Sequence, residues 1–101
     1  MSTSTKRVAI VTGAAEGIGR GIALRLAKDG FDLGLFDLPR SQEKLEALAG
    51  EIRKEYGARV VPVYGDVSKE EDVQRLVETV VAELGSLYAV SSGSVHAMLP
   101  Y

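Results

Sequence analysis

The sequence predicts an α/β fold in which three helices cover a doubly wound parallel sheet of four strands. This is an incomplete version of a doubly wound domain. Two observations carry this prediction. Short apolar segments alternate with longer segments of helical period along the 101 residues. A glycine-rich segment, Thr12 to Gly19, also separates the first apolar segment from the first helical one. Strands that alternate with helices are joined by right-handed crossovers, which makes the sheet parallel.

The first three elements follow from apolar patterning and glycine. Val8 to Val11 is wholly apolar, which is typical of a strand covered on both faces. Helical spacing from Gly17 to Asp29 predicts the first helix, with Gly30 placed to end it in a left-handed conformation. Leu33 to Phe36 is the second predicted strand, although Gly34 weakens the pattern.

The next elements suggest where each strand lies in the sheet. A second helix is predicted after Ser41, a candidate N-cap, and before Gly57. Arg59 to Tyr64 is the third predicted strand. Pro62 lies inside it and cannot donate a ladder hydrogen bond, which favours an edge position. A strand order that begins 3-2-1-4 meets that requirement.

The last part of the chain predicts one more helix and one more strand. Ser68 and Glu71 form a capping-box pattern, and Gly85 follows the helical period as a stop. Leu87 to Val90 is predicted as a fourth, buried strand. We expect residues 1–90 to be the folded unit and residues 91–101 to form an irregular tail.

Composition excludes several functions. The net charge is −2, so no basic surface for nucleic acid is expected. The chain has no cysteine, which excludes disulfides and thiolate chemistry, and we expect no metal site. No apolar run reaches membrane-spanning length, and the polar start lacks the apolar stretch of a secretory signal. The expected location is cytoplasmic.

The glycine-rich segment is suited to binding a diphosphate. Gly13 permits a sharp turn, Gly17 allows the backbone to approach a phosphate, and Gly19 lets the helix pack closely on the sheet. The helix N-terminus then presents unpaired N–H groups to the anion. The alternative is that these glycines only form a turn and a helix cap.

An acidic residue follows at the distance expected for a ribose ligand. Asp37 lies 18 positions after Gly19, at the end of the second predicted strand. Its carboxylate would accept hydrogen bonds from the 2′-hydroxyl of NAD and repel the 2′-phosphate of NADP. The alternative is an ordinary turn or capping aspartate ahead of Pro39.

Neighbouring residues also favour NAD over NADP. Glu16 adds negative charge to the loop, while Gly17 and Leu38 supply no cation for a 2′-phosphate. Arg40 is the nearest cation in the sequence and would partly offset this preference. The predicted cofactor is therefore NAD.

A second acidic residue follows the third predicted strand. Strand carboxyl ends line the ligand crevice of a doubly wound sheet, so Asp66 is placed to accept a hydrogen bond from the adenine amino group, and Val67 to contact the ring through its backbone. In the alternative, Asp66 only shapes the turn before Ser68.

Together these residues resemble the N-terminal half of the short-chain dehydrogenase/reductase family, classical type. Thr12 to Gly19 is similar to its TGxxxGxG motif, and the resemblance covers about residues 6–90. It implies a Rossmann-type NAD(P)-binding domain and an enzyme that transfers hydride between alcohols and carbonyls. The implied cofactor-binding residues are Gly13, Glu16, Gly17, Ile18, Gly19, Asp37, Leu38, Asp66 and Val67.

The chain departs from the family after Val90. Where the family has Asn-Asn-Ala-Gly, this sequence has Ser91-Ser92-Gly93-Ser94, which is explained either by a gene-model or reading-frame error or by a natural isoform. The family's catalytic serine, Tyr-x-x-x-Lys pair and oligomerisation helices lie further downstream. No residue here is therefore predicted to be catalytic.

Two functions remain open at this point. One is an oxidoreductase of this family, truncated here and limited to dinucleotide binding. The alternative is a non-catalytic nucleotide-binding or interaction fragment, which would associate with a full-length relative through the unpaired edge of the fourth strand.

Overall fold

The computed structural model describes residues 7–85, 89–92 and 96–98, with side chains for residues 7–85. The strands are β1 (Val8–Thr12), β2 (Asp32–Asp37), β3 (Val60–Tyr64), β4 (Ala89–Ser92) and β5 (His96–Met98). The helices are α1 (Gly17–Lys28), α2 (Gln42–Tyr56) and α3 (Glu70–Leu84). A 3₁₀ turn, Pro39–Ser41, precedes α2.

The strand order is β3-β2-β1-β4-β5, which confirms the predicted order 3-2-1-4. β1 to β4 pair in parallel, and β3 pairs with β2 alone among the described strands. Pro62 therefore lies on an edge strand, where its missing N–H breaks no ladder that the described residues form.

The predicted count of four strands is wrong, because the residues that the structure describes form a sheet of five. β5 pairs with β4 in antiparallel register, Ala89 opposite Met98 and Ser91 opposite His96. Residues expected to form an irregular tail thus supply strand backbone at 91–92 and 96–98. β5 occupies the edge of β4 that was expected to be unpaired. Leu87 and Tyr88, the start of the predicted fourth strand, lie outside the described residues.

Both faces of the sheet are covered. On one face α1 and α2 pack against the strand side chains that include Ala9, Val11 and Leu35. On the other face α3 packs against Ile10 and Phe36 through Val80 and its neighbours. Val8 to Val11 are at most 1% exposed, which confirms the buried strand predicted from continuous apolarity.

Gly34 has a packing role that its sequence position did not reveal. It lies in the middle of β2, beneath α3, and a Cβ at this position would overlap Cγ2 of Val80. It would also stand 3.4 Å from Cγ1 of Ile10. The glycine therefore lets α3 approach the sheet closely.

The predicted cap of α3 is wrong. The N-cap residue is Lys69, and it makes no side-chain capping bond. Ser68 instead donates both its N–H and its hydroxyl to Oδ1 of Asp66, at 2.9 and 2.8 Å. A capping box needs Ser68 at the N-cap position with its backbone N–H donated to Glu71. Here that N–H is donated to Asp66 and the N-cap is Lys69, so the box does not form. Ser41 lies at the N-cap position of α2, also without a side-chain capping bond.

The amino-terminal edge of the sheet is held by a buried carboxylate. Asp32 is fully buried and accepts hydrogen bonds from the backbone N–H of Arg59 at 2.9 Å and from its Nε at 3.0 Å. The same guanidinium reaches the carbonyl of Leu84 at 3.3 Å. Arg59 therefore joins β2, β3 and the end of α3. These contacts lie at the opposite end of the strands from the candidate site.

Candidate dinucleotide-binding site

The carboxyl ends of β1, β2 and β3 meet in a small cleft. Backbone hydrogen bonds join them: Gly13 donates to the carbonyl of Phe36 at 2.8 Å, and Gly65 to that of Asp37 at 3.1 Å. A pocket of about 190 Å³ lies between these ends. It is smaller than the roughly 300–1,000 Å³ of a whole ligand site, so it would take one portion of a larger ligand. Its lining residues are Gly13, Phe36, Asp37, Leu38, Gly65, Asp66 and Val67.

The pocket brings together five of the nine predicted cofactor-binding residues. These are Gly13, Asp37, Leu38, Asp66 and Val67. The other four lie at the beginning of α1, beside this lining rather than within it; they are Glu16, Gly17, Ile18 and Gly19. Two lining residues, Phe36 and Gly65, were not predicted, although each directly precedes a predicted aspartate in the sequence.

The turn from β1 into α1 is shaped by three glycines. Gly13 and Gly17 adopt φ of 66° and 65°, in the left-handed region that favours glycine. A Cβ on Gly19 would overlap the carbonyl oxygen of Gly13 and stand 2.7 Å from its carbon. The loop can therefore fold over the first turn of α1 only with glycine at position 19.

The N-terminus of α1 is left without a side-chain cap. Glu16 occupies the N-cap position but makes no capping bond to the helix. Its Oε1 instead accepts a hydrogen bond from Nζ of Lys44 in α2, at 2.8 Å. This hydrogen bond and the lysine charge lower the pKa of Glu16 and raise that of Lys44. The first turn of α1 therefore keeps its partial positive charge available to an anion.

Asp37 is held in place by two backbone amides. Its Oδ2 accepts a hydrogen bond from the N–H of Ala15 at 2.9 Å, and its Oδ1 from that of Leu38 at 2.8 Å. An ionised carboxylate offers about four acceptor positions, so two remain for an incoming hydroxyl pair. The bond from Ala15 ties Asp37 to the glycine loop, although the two residues are 22 apart in sequence.

Asp66 shapes the turn before Ser68, which is one of the two roles that the sequence left open. Its Oδ1 accepts two bonds from Ser68, and the backbone bond, followed by the hydroxyl bond, lowers the pKa of the Asp66 carboxyl. The second oxygen, Oδ2, has no partner among the residues with described side chains. Asp66 thus shapes the turn and still presents one acceptor beside the pocket.

The backbone of that turn is fixed from α3. Oδ2 of Asp72 accepts a hydrogen bond from the N–H of Asp66 at 2.9 Å, which lowers the pKa of Asp72. Arg75 donates to the carbonyl of Tyr64 at 2.8 Å. Neither Asp72 nor Arg75 was singled out from the sequence, because both occupy ordinary exposed positions of a helical pattern. Only the close return of α3 to the end of β3 places them here.

Two large apolar side chains stand exposed around the cleft. Ile18, in the first turn of α1, is 71% exposed, and Val67, on the pocket wall, is 58% exposed. Exposed apolar side chains next to an uncapped helix N-terminus and two carboxylates are typical of a ligand site, which combines apolar walls with a few polar groups.

The part of the chain with described side chains holds no group of three or more histidine, cysteine or acidic residues that could bind a metal ion. Within the same part, no helix is long and apolar enough to cross a membrane.

Comparison with known proteins agrees with this geometry. The short chain dehydrogenase family matches residues 7–95, so the match continues into the segment predicted as a tail. The chain belongs to the short-chain dehydrogenase/reductase family, and the fold is the Rossmann-type α/β fold with a parallel sheet and three helices.

Two relatives illustrate the similarity in sequence. The short-chain dehydrogenase/reductase eriH of Hericium erinaceus is 49% identical over 86 residues, which cover 83% of this chain and 34% of the relative. The diacetyl reductase [(S)-acetoin forming] of Staphylococcus epidermidis is 42% identical over 98 residues, which cover 93% of this chain and 36% of the relative. The chain therefore spans about a third of the length of the relatives it matches.

Two solved structures share the fold. An alcohol dehydrogenase from Thermococcus sibiricus, complexed with 5-hydroxy-NADP, is 40% identical with a TM-score of 0.78, over 84% of this chain and 35% of that one. A short-chain dehydrogenase/reductase from Burkholderia phymatum, in complex with NAD, is 31% identical with a TM-score of 0.78, over 89% of this chain and 31% of that one. Relatives of this chain thus bind either form of the dinucleotide.

Proposed function

We propose that this chain binds the adenosine and diphosphate portions of NAD, in preference to NADP, and that it is the cofactor-binding half of a hydride-transferring oxidoreductase. The observation that carries the proposal is the carboxylate of Asp37. It stands on the wall of the pocket, joined by one hydrogen bond to the loop that opens α1.

In this proposal each group of residues binds one part of the cofactor. The uncapped first turn of α1 would take the diphosphate, and the remaining acceptor positions of Asp37 would take the ribose 2′- and 3′-hydroxyls. The pocket between Asp37 and Val67 would hold the adenine ring, with Oδ2 of Asp66 as an acceptor for its amino group. The cofactor, once bound, supplies hydride chemistry; the described residues bind and orient it.

The same carboxylate supports the preference for NAD. A 2′-phosphate would replace a hydroxyl donor by an anion, opposite a carboxylate whose two oxygens already accept amide bonds. Two negative groups at hydrogen-bonding distance repel each other, and neither can donate. Compared with NAD, NADP would therefore lack the hydrogen bond from the 2′-hydroxyl to Asp37, and its phosphate would be repelled by the carboxylate.

The activity of the whole protein follows from its family. We infer that the full-length oxidoreductase reduces a carbonyl or oxidises an alcohol, as the names of the diacetyl reductase and alcohol dehydrogenase relatives indicate for those proteins. The chain spans about a third of the length of these relatives, so the function proposed for its 101 residues is dinucleotide binding.

The alternative of an interaction fragment that pairs through the fourth strand has less support. That interpretation required an open edge on β4, and β5 pairs along it.

Calorimetric titration of the 101-residue chain with NAD⁺ and NADP⁺ tests the proposal. Asp37→Asn preserves the shape of the side chain and removes its charge. We expect it to weaken NAD⁺ binding roughly 10- to 100-fold, the equivalent of one hydrogen bond to a charged group. It should also reduce the preference over NADP⁺.

The matched control is Asp29→Asn, which removes an exposed carboxylate paired with Arg25 at the opposite end of α1. This variant should bind like the unmodified chain. Circular dichroism of each variant confirms that it is folded. Saturable NAD⁺ binding that is unchanged by Asp37→Asn would contradict the assigned role of Asp37. No binding of either cofactor by the folded chain would contradict the proposed function itself.

A further inference from the structure

Three consecutive residues of the pocket wall, Gly65, Asp66 and Val67, form the loop that follows β3. Two backbone hydrogen bonds hold this loop on either side. Gly65 donates its N–H to the carbonyl of Asp37 at 3.1 Å, and Lys69 donates its N–H to the carbonyl of Asp66 at 3.0 Å. The N–H of Asp66 lies between these two bonds and is donated to a side chain instead.

That side chain is Asp72, in the first turn of α3. Its Oδ2 accepts the N–H of Asp66 at 2.9 Å, and the side chain is only 23% exposed. Its Oδ1 lies 3.4 Å from Nη2 of Arg75, and the same nitrogen donates to the carbonyl of Tyr64 at 2.8 Å. α3 therefore holds the loop at two points, one on each side of Gly65.

Gly65 makes this close return of α3 possible. A Cβ at position 65 would stand 3.0 Å from Oδ2 of Asp72, 3.0 Å from Nη2 of Arg75 and 2.9 Å from Cζ of Phe36. A larger residue would displace at least one of these groups. The glycine thus keeps the carboxylate of Asp72 within hydrogen-bonding distance of the loop backbone.

We propose that Asp72 is a positioning residue for the adenine end of the cofactor, acting through the backbone of Asp66. The inference rests on the proposed function and adds one residue to it. The bond to Asp72 fixes the peptide unit that leads into Asp66, and Ser68 holds Oδ1 of its carboxylate. Together these bonds leave Oδ2 of Asp66 as the acceptor beside the pocket. Asp72 itself does not line the pocket, so its effect on adenine passes through Asp66.

The competing explanation is that Asp72 only stabilises the fold. A carboxylate in the first turn of a helix interacts favourably with the helix dipole, and Glu70 and Glu71 lie in the same turn. A residue with that role alone would, when replaced, weaken binding of every dinucleotide alike. A positioning residue would instead alter the discrimination between ligands that differ only at the adenine amino group.

The test uses NAD⁺ and nicotinamide hypoxanthine dinucleotide, in which a carbonyl oxygen replaces the amino group of adenine. Calorimetry on the 101-residue chain gives the ratio of the two dissociation constants. We expect the unmodified chain to bind NAD⁺ at least about 10-fold more tightly, the equivalent of one hydrogen bond to a charged group. In Asp72→Ala the ratio should fall below about three-fold, because Oδ2 of Asp66 is no longer held in one direction.

Matched variants separate the hydrogen bond from the charge. Asp72→Asn removes the charge, as alanine does, but keeps an oxygen that can accept the N–H of Asp66, and it should retain most of the discrimination. Glu71→Ala removes an exposed carboxylate from the same turn and should leave the ratio unchanged. Circular dichroism confirms that each variant is folded. If Asp72→Ala does not fold, Asp72→Ser takes its place, since its side chain is one bond shorter and does not reach the loop.

A double variant tests whether Asp72 acts through Asp66. Asp66→Ala alone should remove most of the discrimination. Adding Asp72→Ala to it should then change the ratio little, because residues that act on the same contact are not additive.

The outcomes distinguish this inference from the proposed function. An equal loss for both ligands in Asp72→Ala, or an unmodified chain that binds both ligands equally well, would overturn the inference and leave dinucleotide binding standing. The same holds if Asp72→Ala lowers the ratio as much in the Asp66→Ala background as in the unmodified chain. A folded chain that binds neither dinucleotide overturns the proposed function, and this inference with it.

Discussion

Replacing Gly19 by alanine should reverse the usual effect of a glycine-to-alanine change in a helix. In an exposed helix interior, alanine is favoured over glycine by about 1 kcal/mol. At position 19 the new Cβ would overlap the carbonyl oxygen of Gly13, and it would stand 3.3 Å from Cα of Ala14. All of these neighbours are backbone atoms, so no side-chain rotation relieves the overlap.

The magnitude follows from these two opposing effects. Overpacking costs about 1–3 kcal/mol, and a clash with backbone belongs at the upper end of that range. After the gain in helix propensity, we expect Gly19→Ala to lower the free energy of unfolding by about 1–2 kcal/mol. For a chain of this size the melting temperature should fall by about 4–16 °C.

Gly21→Ala is the matched control, since it makes the same change one half-turn further along α1. A Cβ on Gly21 meets nothing within 4 Å. This variant should be stabilised by about 0.5–1 kcal/mol, and its affinity for NAD⁺ should not change. Urea unfolding followed by circular dichroism measures both stabilities, and calorimetry measures both affinities. A Gly19→Ala chain as stable as Gly21→Ala would refute the close approach of loop and helix on which the proposed cofactor site depends.

Two further predictions concern other parts of the sheet. Asp32→Ala should lower the free energy of unfolding by about 2–4 kcal/mol, because it leaves the N–H of Arg59 without its buried acceptor; a loss below about 0.5 kcal/mol in urea unfolding would contradict this role. The Tyr64 hydroxyl should ionise at an unusually high pH. Burial, together with the hydrogen bond that it donates to Glu46 at 2.9 Å, raises its pKa from 10.0 to about 12. Its neutral form is the one stabilised by folding, so that contribution is complete below pH 10 and is lost between pH 10 and about 12. Ultraviolet titration of tyrosinate should show this high-pH step in the folded chain and not in Tyr64→Phe. A Tyr64 that ionises near pH 10 would contradict the hydrogen bond to Glu46.

The parallel sheet could be predicted because its physical causes are local or periodic. Continuous apolarity at Val8 to Val11 requires cover on both faces, and Pro62 is compatible only with an edge, so the order of the first four strands followed. The fifth strand could not be predicted in the same way. His96–Met98 is three residues long, and so short a segment becomes a strand only because β4 offers it an edge to pair with.

The N-terminus of α3 shows that a local sequence pattern can fail when a neighbouring residue makes a different hydrogen bond. Ser68 and Glu71 match the capping-box spacing, yet both donors of Ser68 are taken by Asp66. The sequence contains both partners, and only the backbone geometry of the turn decides which of them the serine reaches.

The sequence by itself indicated the family and the alternation of strands and helices. It also indicated which residues are candidates for cofactor binding, because the spacing of glycines and carboxylates after the strands is typical of such sites. The tertiary structure alone decided which distant residues assist them. Ala15 orients Asp37, Lys44 draws Glu16 away from the cap of α1, and Asp72 fixes the backbone of Asp66. Hydrogen bonds and ion pairs act over about 3 Å, and sequence periodicity specifies which face of a helix is buried but not which side chains meet at that distance.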